Sequence, residues 1–346
     1  MALQDLAART DRASSIAGGE SAPDHVPATA DTNACPACGH RDSLALYSGS
    51  DRLYHTTSEQ FSVIECAGCR LLRLHPCPKP HELRTYYPEN YWFLPGEDTA
   101  SRLEELYRRL VLRDHVRFVS RALKHAGKRG LILDAGCGGG LFLQMMAERG
   151  HQVLGLDFSL DAASIAWHAK AVPSVCGTLS QAPISDGTCA AVTMFHVLEH
   201  LYDPVEYLEA ARRLLADDGL LIVQVPNAAC WQLLLLGENW NGLDIPRHIF
   251  DFKPGDLEIL LDQCGFEITR MKFFSLRDNP AGLASSIAPG LDPMARRVRR
   301  VPETSGARLW RDLLYFFLVL AAVPITLVEA ACHAGSTVFV EARKKS

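Results

Sequence analysis

Two cysteine pairs carry the plainest chemistry in the chain. Cys35-Pro-Ala-Cys38 and Cys66-Ala-Gly-Cys69 stand 27 residues apart. Each pair can sit on a tight knuckle whose two thiolates face one ion, and two knuckles complete a tetrahedral shell of four sulfurs. Gly39 and Gly68 supply the backbone freedom such knuckles require. Cys35, Cys38, Cys66 and Cys69 are therefore predicted to hold a structural Zn2+. A closed shell of four thiolates leaves no open position for catalysis. Four buried or redox-active thiols are the alternative. Cys77 lies nearby as a spare, and the symmetry of the pairs argues against its use.

The second cluster is the run Leu131-Ile132-Leu133-Asp134-Ala135-Gly136-Cys137-Gly138-Gly139-Gly140, an apolar strand leading into glycines ahead of a helix-like Leu141–Arg149. Glycines there let backbone approach a ligand closely. A dinucleotide fingerprint needs a third glycine where Leu141 or Leu143 stands, and no G-x-x-x-x-G-K-[ST] phosphate loop is present. The run instead resembles motif I, D-x-G-x-G-x-G, of the class I S-adenosylmethionine-dependent methyltransferases, through Asp134, Gly136, Gly138 and Gly140. The next strand, Val153–Asp157, ends in an acid 21 residues after Gly136. A carboxylate there can accept both hydroxyls of a ribose. The resemblance implies that Asp134 faces the methionine moiety of S-adenosylmethionine and that Gly136 and Gly138 line it. It further implies that Asp157 takes the ribose and that Phe158 lies against the adenine. Cys176-Gly177-Thr178-Leu179 stands where the family's third strand reaches the adenine, and Phe195–Pro204 resembles the motif after strand four. That places His196 and Glu199 at the pocket floor. One departure is Cys189-Ala190-Ala191, where the family usually starts a strand with aspartate.

His196-Val197-Leu198-Glu199-His200 also spells an inverted zinc-peptidase motif, which needs both histidines on one helical face. Here the motif follows a strand, and Asp203-Pro204 reads as the cap and first turn of the next helix, so residues 196–202 read as a loop. After the strand Leu220–Val225 comes a long connection, Ala228–Asp251, predicted to lie over the pocket mouth as a substrate lid. Its Asp244-Ile245-Pro246-Arg247-His248 resembles a run in zinc-ribbon-bearing methyltransferases of this class. His248 is the candidate general base, with His196 the second catalytic candidate, since imidazole titrates near neutral pH. A histidine that only anchors the lid is the alternative for His248.

A parallel sheet is what would position these groups. From Gly130 onward, apolar runs at 131–133, 153–156, 190–195 and 220–225 alternate with helix-length segments, which reads as α/β. The expected fold is a Rossmann-like class I methyltransferase sheet with a small N-terminal zinc-binding segment. The sheet is parallel except for an antiparallel strand seven, with Phe266–Leu276 as strand six and Ser336–Ala342 as strand seven. Residues 1–33, poor in large apolar side chains, read as a disordered tail. Residues 34–80 form the zinc-ribbon-like segment. Residues 81–129 read as a helical linker in which Leu103, Leu106, Leu110 and Val111 recur at helical spacing. Residues 130–346 are the methyltransferase domain, with an apolar insert at about 279–335.

Within that insert Leu313–Val328 runs for sixteen residues without a charge, short of the about 20 that a bilayer span needs. Arg296, Arg297, Arg299, Arg300, Arg308 and Arg311 lie upstream. An apolar helix beside a basic cluster suits peripheral contact of residues 309–331 with an anionic membrane. Packing on the protein itself or in a dimer is the alternative. The 346 residues hold 35 basic against 40 acidic groups, a net charge of −5, so no nucleic-acid partner is expected. Eleven cysteines, an odd number, and no apolar leader speak against a disulfide framework and for a reducing cytoplasm, at the inner membrane face if the insert docks. The expected function is methyl transfer from S-adenosylmethionine to a small-molecule acceptor, a saccharide or a lipid-linked metabolite. The alternative is a zinc-ribbon binding module carrying a non-catalytic S-adenosylmethionine-binding domain.

Overall fold

The computed structural model describes residues 34–88 and 99–345, so the expected tail over 1–33 lies outside the described residues. Strands β1 (Ser43–Gly49), β2 (Phe61–Cys66) and β3 (Leu72–His75) form an antiparallel ladder, and the β2–β3 turn carries the second cysteine pair. The short α1 (Pro80–Leu83) and the long α2 (Thr99–His125) follow. In α2 the expected leucine stripe is displaced. Leu103, Leu106 and Leu110 are exposed, and the core face begins a turn later with Val111, Val116, Val119 and Leu123. Helical spacing continues through both stretches, and tertiary packing decides which turns are covered.

Strands and helices then alternate: β4 (Leu131–Ala135), α3 (Leu141–Ala147), β5 (Gln152–Asp157), α4 (Leu160–Lys170), β6 (Ser174–Cys176), β7 (Cys189–Phe195), α5 (Pro204–Leu214) and β8 (Leu215–Pro226). The chain continues through α6 (Trp231–Leu236), β9 (Phe250–Asp251), α7 (Pro254–Gln263) and β10 (Phe266–Lys272). It ends with α8 (Asn279–Ile287), α9 (Pro293–Val298), α10 (Ser305–Ala331) and β11 (Thr337–Lys344). The main sheet has the order β10-β11-β8-β7-β4-β5-β6, and every pairing is parallel except the two made by β11. This is the expected Rossmann-like sheet with its one antiparallel strand. Both faces are covered, which is why its inner strands are continuous apolar runs. α2 and α3 pack over Ile132, Ala191, Ile222 and Phe339, and α5 and α7 over Leu133, Val192, Leu221 and Val340.

The connection after β8 is not a free lid. β9 pairs with β3 (Leu72↔Asp251, Arg73↔Phe250) and completes a four-stranded sheet β1-β2-β3-β9. Trp240, Leu243 and Ile245 join Phe61, Val63, Leu72 and Leu74 in one apolar cluster. Residues 228–251 therefore fasten the cysteine segment to the main sheet, and this small sheet crosses the boundary expected at residue 80. Asn33–Ser346 make up one compact unit. The sixteen-residue apolar run is the middle of α10, whose 27 residues are long and apolar enough, by length and composition alone, to cross a membrane.

Candidate active site and cysteine centre

The turn between β4 and α3 is built on left-handed glycines: Gly136 has φ 75°, Gly138 52° and Gly140 75°. Only glycine takes such angles without strain. The N–H groups of Gly136 and Cys137 donate to the Leu156 carbonyl at 2.7 and 3.0 Å, which ties the turn to the end of β5. There Asp157 accepts from the Gly138 N–H (2.9 Å) on Oδ2 and from the Ser159 N–H (2.9 Å) on Oδ1. Each carboxylate oxygen keeps a lone pair for a further donor. Burial raises the Asp157 pKa against the pull of those two N–H groups. One strand over, burial pushes the Asp134 carboxyl up to about 7 although Thr193 Oγ1 donates to it at 2.5 Å. Phe158 is 56% exposed at the rim, edge-on to the Tyr87 ring with centroids 5.9 Å apart.

The structure thus brings Asp134, Gly136, Gly138, Asp157 and Phe158 to one edge of the sheet. Leu179 is different: its side chain is fully buried in the core, so only its backbone could meet a ligand. The fit is tight at Gly136, where an added Cβ would lie 2.5 Å from Val197 Cγ2. Gly136→Ala is expected to cost about 1–3 kcal/mol, from left-handed strain together with this clash. Thermal melts with and without S-adenosylmethionine would show a lower midpoint and a smaller ligand-induced shift.

The loop after β7 is a knot of buried polar groups. His196 has φ 57°, a costly value for a residue with a side chain, and its N–H is held by the Gln224 carbonyl at 2.8 Å. Its Nδ1 donates to Glu199 Oε1 at 3.0 Å, and its Nε2 lies 3.6 Å from Asp278 Oδ2. Burial opposes the charged ring, but the Asp278 and Glu199 carboxylates outweigh it and hold its pKa up at about 9. The Gln224 amide nitrogen also lies 3.0 Å from Nε2, so the ring is enclosed by partners on both nitrogens and is poorly placed for the proton-accepting role expected of it. Behind it, buried His115 reaches Gln224 Oε1 at 2.7 Å, and Gln224 Nε2 donates to Asp278 Oδ2 at 2.6 Å. Sequence reasoning missed Tyr87, His115, Gln224 and Asp278. Gln224 left a signal: a lone amide inside the apolar strand β8.

His248 also departs from expectation. It is buried, with Nδ1 2.8 Å from the Gly242 carbonyl, and burial followed by the neighbouring His200 pulls its pKa down to about 4. It lies inside the packed connection, its ring 4.6 Å from that of His200. Glu199, His200 and His248 each offer a ligand atom, all within 4.8 Å of one another, and this group could hold a cation. Arg247 next door is fully buried and grips Asp51 (2.9 and 3.0 Å) and Asp244 (2.7 and 3.0 Å). A cavity of about 860 Å³ beside this ion pair is lined by Arg52, Thr56, Glu59 and Trp240, and it does not border the glycine turn.

The four cysteines of the two pairs converge. Their sulfurs all lie within 4.8 Å of one another, with Cys35–Cys69 at 3.6 Å and Cys38–Cys66 at 3.5 Å. Four thiolates about 2.3 Å from one Zn2+ would stand about 3.8 Å apart, so the set fits that ion. Burial raises the Cys35 and Cys69 thiols, whereas at Cys66 the N–H groups of Cys69 and Gly68 and the neighbouring thiols of Cys38 and Cys35 outweigh it and hold the thiol down. All eleven cysteines are free thiols.

With this geometry in place, comparison with known proteins is informative. A family profile described as a methyltransferase domain matches residues 103–270. A ubiquinone biosynthesis O-methyltransferase of Xanthomonas axonopodis pv. citri is 31% identical over 163 residues, which cover 44% of this chain and 67% of that protein. The chain belongs to the S-adenosylmethionine-dependent methyltransferases. A probable S-adenosylmethionine-dependent methyltransferase of Mycolicibacterium smegmatis is 30% identical over 186 residues, 52% of this chain and 61% of that protein. This methyltransferase chain thus spans about three-fifths of that relative's length. A solved S-adenosylmethionine-dependent methyltransferase from Archaeoglobus fulgidus covers 71% of this chain and 100% of its own, at 19% identity and a TM-score of 0.46. The matched span begins within α2 and ends within β10, so the cysteine segment and α8 to α10 lie outside it.

Proposed function

We propose that this methyltransferase binds S-adenosylmethionine across the β4–α3 turn and transfers its methyl group to a small-molecule acceptor. The observation that carries the reading is the Asp157 carboxylate, fixed at the end of β5 by two N–H groups beside three left-handed glycines. In this reading Asp157 takes the ribose hydroxyls, Phe158 covers the adenine, and Gly136 and Gly138 leave room for the methionine moiety beside Asp134. S-adenosylmethionine supplies an electrophilic methyl group. The protein's part is to orient the acceptor's nucleophile and exclude water, since both nitrogens of His196 are engaged by Glu199 and Gln224 and His248 is buried. Oxygen is the favoured acceptor atom, because the Xanthomonas relative is named an O-methyltransferase. A lipid-linked acceptor is favoured over a free saccharide, because exposed apolar helices adjoin the same edge of the sheet. The four clustered cysteines are read as a structural Zn2+ site, and the free thiols suit a reducing cytoplasm.

Calorimetric titration of S-adenosylmethionine is the test. The native chain is expected to bind, and Asp157→Ala on the order of 100-fold more weakly, because hydrogen bonds to a charged group contribute about 1.5–3 kcal/mol. A folded native chain that ignores the cofactor would overturn the reading. Binding without turnover on any acceptor would support the non-catalytic alternative.

A further inference from the structure

α10 turns most of its bulky apolar side chains to solvent and, beside Val319 and Ala322, buries polar groups against the protein. On the inner stripe Tyr315 hydrogen-bonds Ser285 Oγ at 2.8 Å, Glu329 accepts from Gln232 Nε2 at 2.8 Å, and Asp312 pairs with Arg296. On the outer stripe Phe317 is 61% exposed, Ile325 55% and Val328 57%, with Leu320 close behind. No charge interrupts residues 313–328. α6, joined to the far end of α10 through Gln232, adds Leu234 and Leu235, each more than three-quarters exposed. A soluble surface rarely leaves so continuous an apolar stretch uncovered.

We infer that this outer face docks into a lipid surface, with α10 lying in the plane of the membrane. A spanning helix would have to strip Asp312, Tyr315 and Glu329 of their partners and bury them in hydrocarbon. An in-plane helix keeps those bonds and inserts only the outer stripe. A second copy of the chain is the less suitable cover. Protein interfaces carry hydrogen bonds at about one per 100–200 Å², and the outer stripe from 313 to 328 offers no side chain to make them. At the N-terminal end, exposed Trp310 lies beside exposed Arg308, and Arg299 is exposed just upstream, the residue types that anchor at headgroups. The charge is a minor attraction. Arg296 and Arg311 are paired with Glu303, Arg297 with Glu104 and Arg308 with Asp312.

Position ties this surface to the proposed chemistry. Thr337, at the start of β11, pairs with Pro226 at the end of β8, so α10 returns the chain to the edge that carries the glycine turn. α6 begins at that same edge. Resting on the methyltransferase reading, this placement favours an acceptor drawn from the lipid phase.

The test is co-sedimentation of the full chain with phosphatidylcholine vesicles, with and without phosphatidylglycerol. The expected result is binding to both, stronger with the anionic lipid and persisting in 0.5 M salt. The exposed double variant Phe317→Asp/Leu320→Asp should bind at least 10-fold more weakly while titrating S-adenosylmethionine as the native chain does. A native chain that stays in the supernatant with both vesicles overturns the inference. So does a native dimer that the double variant dissolves, since a second copy would then be the cover. Vesicle binding by a chain that ignores S-adenosylmethionine would support docking and overturn the methyltransferase reading alone.

Discussion

Replacing Arg247 with methionine is expected to destabilise the protein by about 3–5 kcal/mol, the usual cost of removing one partner from a buried ion pair. The Arg247 side chain is fully enclosed, and its guanidinium is shared by two carboxylates, the Tyr86 carbonyl (3.2 Å) and the face of the Tyr54 ring (4.6 Å). Its loss would strand Asp51 and Asp244 without a counter-charge. Asp51 holds the other end of the fold: its oxygens also accept from the Tyr54 and Thr56 N–H groups, both at 3.0 Å, just after β1. The pair therefore joins residues 196 positions apart and locks the cysteine segment onto the connection after β8. Its pH dependence has a definite sign. Burial alone would push the Asp51 carboxyl up, but Arg247 outweighs it and holds the pKa at about 2, below the ordinary 3.8. A carboxyl depressed in the folded state contributes stability above its unfolded pKa, and that contribution is lost as pH falls from about 4 to about 2. In the variant only the Tyr54 and Thr56 donors and His248 are left to oppose the burial of Asp51 and Asp244, so protonation should relieve the strain. Denaturant titrations at pH 7.5 and 5 should show the penalty shrinking as pH falls. An unchanged penalty would mean that lost packing, not stranded charge, is the cause.

That ion pair also shows where sequence reasoning ends. The half of the site on β4 and β5 was legible because buried parallel strands are apolar runs and the glycines between them mark a turn that only glycine tolerates. Asp157 stood at the end of such a run, so its place followed from the strand. The cysteine pairs were legible because their spacing is itself geometric. The connection 228–251 was misread as a lid because its partners, β3 and Asp51, lie far away in sequence, and a two-residue strand such as β9 has no periodicity to see. His196 and His248 looked like bases because residue type sets only the reference pKa. The carboxylates around one and the burial of the other reverse the expectation. In α10, the sequence showed an uncharged apolar run but not which side of the helix faced the protein. The side that carries Asp312, Tyr315 and Glu329 faces inward because Arg296, Ser285 and Gln232 are there to meet it.

Removing the metal from the cysteine centre should have the second large effect, and a local one. In zinc-finger peptides a structural Zn2+ contributes about 10–16 kcal/mol, which is their whole folding energy. Here the segment has other supports: the Phe61–Trp240 cluster, the β3–β9 pairing and the Asp51–Arg247 pair. Chelation, or Cys66→Ser, is therefore expected to loosen β1 to β3 while the seven-stranded sheet survives. A single thermal transition should split in two, with the earlier step accompanied by loss of amide protection over residues 35–75. Isolated protein should yield one Zn2+ per chain. The four thiols should react with a thiol reagent only after chelation, because metal-bound thiolates are held out of exchange. S-adenosylmethionine should still bind the chelated protein, since Gly136, Gly138 and Asp157 are held by β4 and β5 and not by the small sheet. If chelation leaves one unchanged transition and the four thiols instead oxidise in pairs, the centre is a redox pair of pairs and the zinc reading fails.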